Sequence, residues 1–307
     1  MSSPNSEVPL VSVLVPCFNH ESYVILCLES IKAQDYPRIE LLIVDDGSRD
    51  NSYSIVSDWC SENSERFERL KWSRTPNNGI TKTLSSLLGD SCGEYVAFCA
   101  SDDALTPSSL TIRATQLSGH SSVGAVFGRS QLMDNNGVVT SDDAARTLYG
   151  AKSAYYRSSC IKDELFFRWS MVGPASMYRK SALQLAGGID TDYLAEDRSL
   201  YLRLMLCSDI LYVDQIVAKY RYHQQSVSRS ALTRAPIQAD IAKLHMSMAG
   251  RYSGLKKFYL ASYKVDLALL GKRNVARIYP ALYLGWKAMR KACAILTLAT
   301  VSTLRSH

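Results

Sequence analysis

No CxxC pair occurs anywhere in this chain of 307 residues, and none of its eight cysteines stands with a histidine at the spacing of a zinc site. That excludes a structural zinc module, and the free thiols fit a reducing cytosol. No GxGxxG follows the first apolar run, so a dinucleotide-binding reading lacks its fingerprint. Long uncharged runs are missing too. The longest one near the C-terminus, "ACAILTLATVSTL", falls well short of the roughly 20 apolar residues that span a bilayer. The opening "MSSPNSEVPLVS" lacks the basic region and apolar stretch of a secretion signal, which sets the expectation of a cytoplasmic protein. Acidic residues are absent beyond Asp266, whereas seven Lys and Arg follow it. Because the whole chain carries only +6, everything before that point is slightly acidic. The basicity belongs to the tail, and no nucleic-acid partner is implied. What is present is ordinary for a compact enzyme or binding domain: 47% hydrophobic, 21% charged, with no long repeat or low-complexity tract.

"VSVLVP" (residues 11–16) and "ELLIVDD" (residues 40–46) are short apolar runs of strand character, and "ESYVILCLESIKAQ" between them places apolar residues at helical spacing. The alternation continues through "SYSIVSDWCSENSERF", "RLKWSRT", a helix over residues 81–88 and "EYVAFCA" (residues 94–100). It predicts an α/β fold, a mostly parallel sheet with helices on both faces. In such sheets ligands bind beyond the carboxyl ends of the strands. Asp45 and Asp46 close one strand, Asp102 and Asp103 follow another, and the Gly-containing "PNNG" (residues 76–79) follows a third. One acidic pair alone is equally a solvated turn or a helix N-cap; two pairs at equivalent strand ends point to a site. Carboxylates such as Asp102 and Asp103 suit a hard divalent cation that bridges substrate phosphates. Asp45 and Asp46 suit hydrogen bonds from a base or a ribose. Together they describe a nucleotide diphosphate held with Mg or Mn.

"VSVLVPCFNHESYVILCLESIKAQDYPRIELLIVDDGSRDNS", followed by "NNG", "GEYVAFCASDD", "AEDRSLYLRL" and "YRYH", resembles the family 2 glycosyltransferases of bacterial surface-polysaccharide type over about residues 11–230. The resemblance implies the GT-A (Rossmann-like) fold, an inverting transfer and a nucleotide-sugar donor, UDP-sugar favoured. It implies a donor pocket lined by Pro16, Phe18, Asn19, Glu21, Asp45, Asp46, Asn78, Gly79, Lys82, Ser101, Asp102 and Asp103. Metal ligands would be Asp102 and Asp103, with His223 a further candidate. That family often has an acid two positions before Asp102, where this chain has Ala100. Asp197 matches the family's general base, which takes the proton of the acceptor hydroxyl. By itself the pair Glu196–Asp197 would merely favour a helix N-terminus. Gly173, Glu196, Arg221 and His223 fall on the acceptor or diphosphate side, with Arg229 in the same loop; a lone His such as His223 is otherwise an ordinary packed residue. His20 has no partner recognisable from sequence.

The implied organisation is a catalytic domain over residues 1–230, with a nucleotide-binding half at about 10–105 and an acceptor half at about 106–230, and a basic helical region over 231–307. The acceptor would be a saccharide or lipid-linked saccharide of lipopolysaccharide, O-antigen, capsule or exopolysaccharide. Two other readings share parts of the pattern. A sugar nucleotidyltransferase would need a Gly-rich loop with Arg and Lys near the N-terminus, which "VPCFNHESY" lacks. A catalytically silent saccharide-binding module sits badly with the retained Asp102, Asp103 and Asp197. Over residues 280–304 a helix would gather Lys287, Arg290 and Lys291 on one face and Leu282, Met289, Cys293 and Leu296 opposite. That suits either a helix lying on an anionic membrane surface, placing the enzyme on the inner face of the cytoplasmic membrane, or one packed on the catalytic domain with its basic face in water.

Overall fold

The computed structural model describes residues 8–151, 158–223, 231–270, 288–290 and 292. Four strands open the chain: β1 (Val11–Cys17), β2 (Ile39–Asp45), β3 (Arg69–Arg74) and β4 (Tyr95–Phe98). They are parallel and stand in the order β3-β2-β1-β4. The crossovers are helices α1 (Val24–Lys32), α2 (Ser52–Asn63) and α3 (Ile80–Asp90). β1 and β2 are buried along their whole length, as strands covered on both faces must be. The odd and even side chains of β1 feed separate clusters on the two faces: Val11, Val13 and Val15 with α1 and α2, Leu14 with α3.

The sheet then continues into the second half. β5 (Ala104–Leu105), α4 (Ser109–Gly119), β6 (Val123–Met133), β7 (Val139–Ser141), α5 (Ala144–Tyr149), α6 (Ser158–Arg168), β8 (Ser176–Arg179), α7 (Lys180–Leu185), α8 (Glu196–Leu204) and β9 (Asp209–Arg221) complete it. β8 runs antiparallel between β4 and β6, and β9 lies parallel to β6 and antiparallel to β5. Most paired residues still lie in parallel pairings, and the two halves share one nine-stranded sheet. Arg113 of α4 is fully buried where the halves meet; its guanidinium donates to the carbonyls of Pro174 and Ser176 at 3.1 and 2.7 Å.

Three C-terminal helices, α9 (Ala231–Met248), α10 (Gly254–Ala261) and α11 (Tyr263–Leu270), pack on α6 and α8 through Phe166, Phe167, Leu202, Leu244, Met248, Tyr259 and Leu260. Among the described residues no helix is long and apolar enough to cross a membrane. Arg290 departs from the expected basic outer face. It is buried, forms a bidentate pair with Asp266 and lies 4.3 Å from the centre of the Tyr263 ring. Pairing with Asp266, the last acid of the chain, satisfies a guanidinium that packing has drawn inward. Most of the expected tail helix, with Lys287, Lys291 and Cys293, lies outside the described residues.

Candidate active site

β2 ends at Asp45, so the second acid of the pair leaves the strand. Asp46 turns both carboxylate oxygens to the next loop, accepting from the backbone N–H of Asn78 at 2.8 Å and of Gly79 at 2.9 Å. Gly47 makes this possible. It has a φ of +78°, and a Cβ there would sit 2.7 Å from the Asn77 nitrogen. Asp45 accepts from Ser48 N–H at 3.0 Å and lies 3.3 Å from Arg74, while its buried Oδ2 has no partner among the described residues. The loop after β1 closes the other side. Asn19, in a left-handed conformation at φ 54°, donates its N–H to Ser48 Oγ and accepts from Arg49 N–H, both at 2.8 Å. Glu21 accepts from the backbone and side-chain N–H groups of Asn51, each at 2.9 Å. Residues 16–21, 45–52 and 76–79 therefore form one hydrogen-bonded rim at the carboxyl ends of β1, β2 and β3. Phe18 and Asn78 are exposed on it, and Lys82 stands exposed in the first turn of α3.

Beside this rim the loop after β4 carries the second acidic pair, and its two members diverge. Asp102 meets two histidines: His223 Nε2 is 2.9 Å and His20 Nε2 3.8 Å from its Oδ2. His20 comes from the loop after β1 and is fixed by its N–H to Ser52 Oγ and by Nδ1 against Ser101 Oγ, both at 2.8 Å. One nitrogen of each ring and one Asp102 oxygen all lie within 4.8 Å of one another, a set of donors that fits a divalent cation. Burial would raise the Asp102 carboxyl, but the His223 hydrogen bond and the nearby His20 hold it below the ordinary carboxylate range. Burial pulls His20 down, toward the neutral ring that can ligate. Asp103, expected as a second ligand, faces inward. It accepts from Arg221 N–H at 2.8 Å, and burial and the charge of Asp102 push its carboxyl well up. Arg221, expected beside a diphosphate, is also buried. It donates to the carbonyls of Asp102, Asp134 and Asn135 at 2.8, 2.7 and 2.9 Å and stacks 4.5 Å over Tyr23. It props up the Asp102 loop from behind.

Glu196 and Asp197 begin α8. Asp197 accepts from Arg198 N–H at 2.7 Å and from the Trp169 indole N–H at 3.0 Å. Trp169 reaches it because the chain turns left-handed just past α6, at φ 50°, an uncommon state for a bulky residue. Burial raises the Asp197 carboxyl above its ordinary value, opposed by the hydrogen bonds from Arg198 and Trp169 to the charged form. Glu196 is pushed up to about 8 by burial and then by the charge of Asp197. Two adjacent carboxyls whose titration burial has raised are the usual raw material of acid–base chemistry. Behind them Arg198 is fully buried, donating to His245 Nε2 of α9 at 2.9 Å and to the carbonyls of Leu165 and Phe166 at 2.7 and 2.6 Å. The loop before α8 is tied to α9 as well, through Leu194 N–H to Asp240 at 2.6 Å. Gly173 is exposed with open space beside its Cα. Arg229 lies outside the described residues.

Sequence reasoning missed His20 and Trp169. Each acts across the fold on a residue far away in sequence, and neither sits in a spacing that signals it.

A curled α/β sheet with acidic loops gathered at the carboxyl ends of its parallel strands is the GT-A architecture. Two solved structures share it at a TM-score of 0.61. One is S. aureus TarS 1–349 in complex with UDP-GlcNAc, 21% identical, covering 87% of this chain and 73% of that one. The other is the mannosyltransferase PcManGT from Pyrobaculum calidifontis in complex with GDP-Man and Mn2+, 19% identical, covering 98% of this chain and 88% of that one. The model of glycosyl transferase family 2 matches residues 12–185, more than half of the chain, and the chain belongs to that family. Relatives include glycosyltransferase GlyA of Streptococcus pneumoniae, 26% identical over 228 residues, 71% of this chain and 31% of the relative. Another is the poly-beta-1,6-N-acetyl-D-glucosamine synthase of Staphylococcus epidermidis, 24% identical over 209 residues, 67% of this chain and 48% of the relative. The chain spans from about a third to just under two thirds of the length of the first curated relatives it matches.

Proposed function

We propose that the chain is a metal-dependent inverting hexosyltransferase. It would move a sugar from a nucleotide-diphosphate sugar, UDP-sugar favoured, to a saccharide or lipid-linked saccharide acceptor in bacterial cell-surface polysaccharide synthesis. The observation that carries this reading is the Asp102–His223–His20 cluster standing beside a rim already organised by Asp45 and Asp46. Relatives named for polysaccharide synthesis, and neighbours bound to UDP-GlcNAc or to GDP-Man with Mn2+, support it.

Asp45 and Asp46 shape the nucleotide end, the first through the oxygen that has no partner among the described residues and the second by fixing the loop at 76–79 that would face the donor. Asp102 with His223 would hold Mg or Mn, which would supply positive charge against the departing diphosphate. Asp197 accepts the acceptor hydroxyl's proton as the oxygen attacks the anomeric carbon from the face opposite the diphosphate. Trp169 and the start of α8 orient that carboxylate and favour its charged form against the burial that raises it. Burial, then the charge of Asp197, pushes the Glu196 carboxyl up to about 8, which suits Asp197 as the base of the pair. The cytoplasmic face of the membrane is where a lipid-linked acceptor would be met, with the basic tail the contact. NMR of the product made from an α-linked donor tests the stereochemistry: a β-linked product is expected, and retention of configuration contradicts Asp197 as base in a single displacement.

A further inference from the structure

We propose that His20 is a metal ligand, its Nε2 joining Asp102 and His223 in a site of two imidazoles and one carboxylate that replaces the acid missing at residue 100. This rests on the reading that the site takes a divalent cation. The distances favour it. Ligands at neighbouring positions of an octahedral ion with bonds near 2.1 Å lie about 3.0 Å apart, and opposed ones about 4.2 Å. His223 Nε2, 2.9 Å from an Asp102 oxygen, already stands at the neighbouring spacing; His20 Nε2, 3.8 Å from the same oxygen, lies between the two spacings, and the three donors, within 4.8 Å of one another, need only draw together slightly to reach one ion.

The surroundings prepare His20 for the task. Ser101, fully buried, takes its Nδ1, and Ser52 holds its backbone N–H, so Nε2 is the nitrogen left toward Asp102. An outer hydrogen bond that fixes the ring and its tautomer is the usual support of a ligating histidine. The nearby acid that would compete for the role is engaged elsewhere: Asp103 is buried and committed to Arg221 N–H. His223 makes no hydrogen bond through Nδ1 among the described residues, so its polar contact also converges on Asp102. The chemical consequence is selectivity. Imidazole nitrogens suit the later first-row ions, whereas Mg2+ prefers an all-oxygen shell and keeps its waters. The site should therefore favour Mn2+ or Co2+ over Mg2+ more strongly than a site of carboxylates would.

The test is Mn2+ binding to the full chain, with UDP present, read by electron paramagnetic resonance and by the nitrogen modulation of the pulsed spectrum. Wild type should show two coordinated imidazoles. His20→Asn, which keeps a polar group for Ser101, should lose one of them and bind Mn2+ on the order of tenfold more weakly or worse, while Asp102→Ala abolishes binding. A wild-type spectrum with a single imidazole overturns the proposal without any variant. So does a His20→Asn chain with unchanged Mn2+ affinity and modulation, and if Asp102→Ala still abolishes binding in that case, the metal reading stands alone. Wild-type chain that binds no Mn2+ with UDP present overturns both.

Discussion

Replacing Trp169 by Phe keeps an aromatic ring at the left-handed turn after α6 but removes the one indole N–H, 3.0 Å from Asp197, that steadies the proposed base. A hydrogen bond to a charged group is worth about 1.5–3 kcal/mol. At about 1.4 kcal/mol per pH unit, its loss would raise the Asp197 carboxyl by about 1–2 units. Asp197 is half-buried, and solvent screening places the expectation near the lower figure. The sign follows from the role. A base works deprotonated, so the rate climbs with pH through the Asp197 titration, and Trp169→Phe should move that acid limb to higher pH by about one unit. Above the limb the plateau should stay close to wild type, because Arg198 N–H still orients the carboxylate at 2.7 Å. The assay is the pH dependence of kcat/KM for the acceptor. A uniform loss of rate at every pH would mean that Trp169 only packs. A limb that stays where it is would remove Asp197 as the titrating base or Trp169 as its partner.

Asp197→Asn should cut the transfer rate by about a hundredfold to ten-thousandfold and leave donor affinity within a fewfold of wild type, as a base acts on the acceptor; near-normal turnover would place the base elsewhere, with Glu196 the next to test. Asp46→Ala releases the N–H groups of Asn78 and Gly79 to solvent, which should cost about 2 kcal/mol in chemical denaturation and weaken UDP binding in calorimetry; unchanged values in both would show that the loop needs no anchor. Glu196, raised from 4.5 to about 8, favours the folded state below its ordinary value, and that contribution is lost as pH rises through about 8. Melting temperature should therefore fall between pH 5 and pH 9, and Glu196→Gln should flatten the slope; parallel slopes for the two proteins would refute the burial of that carboxyl.

The parallel half of the fold was legible because burial on both faces writes itself as apolar runs, and the observed β1 and β2 match those runs to within a residue. β8 inserted antiparallel between β4 and β6 was not, since "SMYR" carries no period of its own and its place is decided by pairing across the sheet. The acidic positions were legible as chemistry on strand ends, but not their division of labour. Asp102 and Asp103 are adjacent in sequence, yet the turn aims one at two histidines and the other at Arg221 N–H. His20 is silent in the sequence because the polar partners of its ring, Ser101 and Asp102, lie 81 or more residues away, and proximity of that kind leaves no trace in spacing. The same holds for the buried Arg198–His245 contact that links the C-terminal helices to the start of α8.

Donor turnover tests metal-dependent glycosyl transfer at this site most directly, because it needs no knowledge of the acceptor. Wild-type chain incubated with Mn2+ and a panel of nucleotide sugars should release nucleoside diphosphate slowly from at least one donor, with a UDP-sugar the first expectation. Chelation should stop the release, and Asp102→Ala, which removes a ligand but no core packing, should abolish it. Release from no donor, or release that survives both the chelator and Asp102→Ala, would contradict a metal-dependent glycosyl transfer at this site.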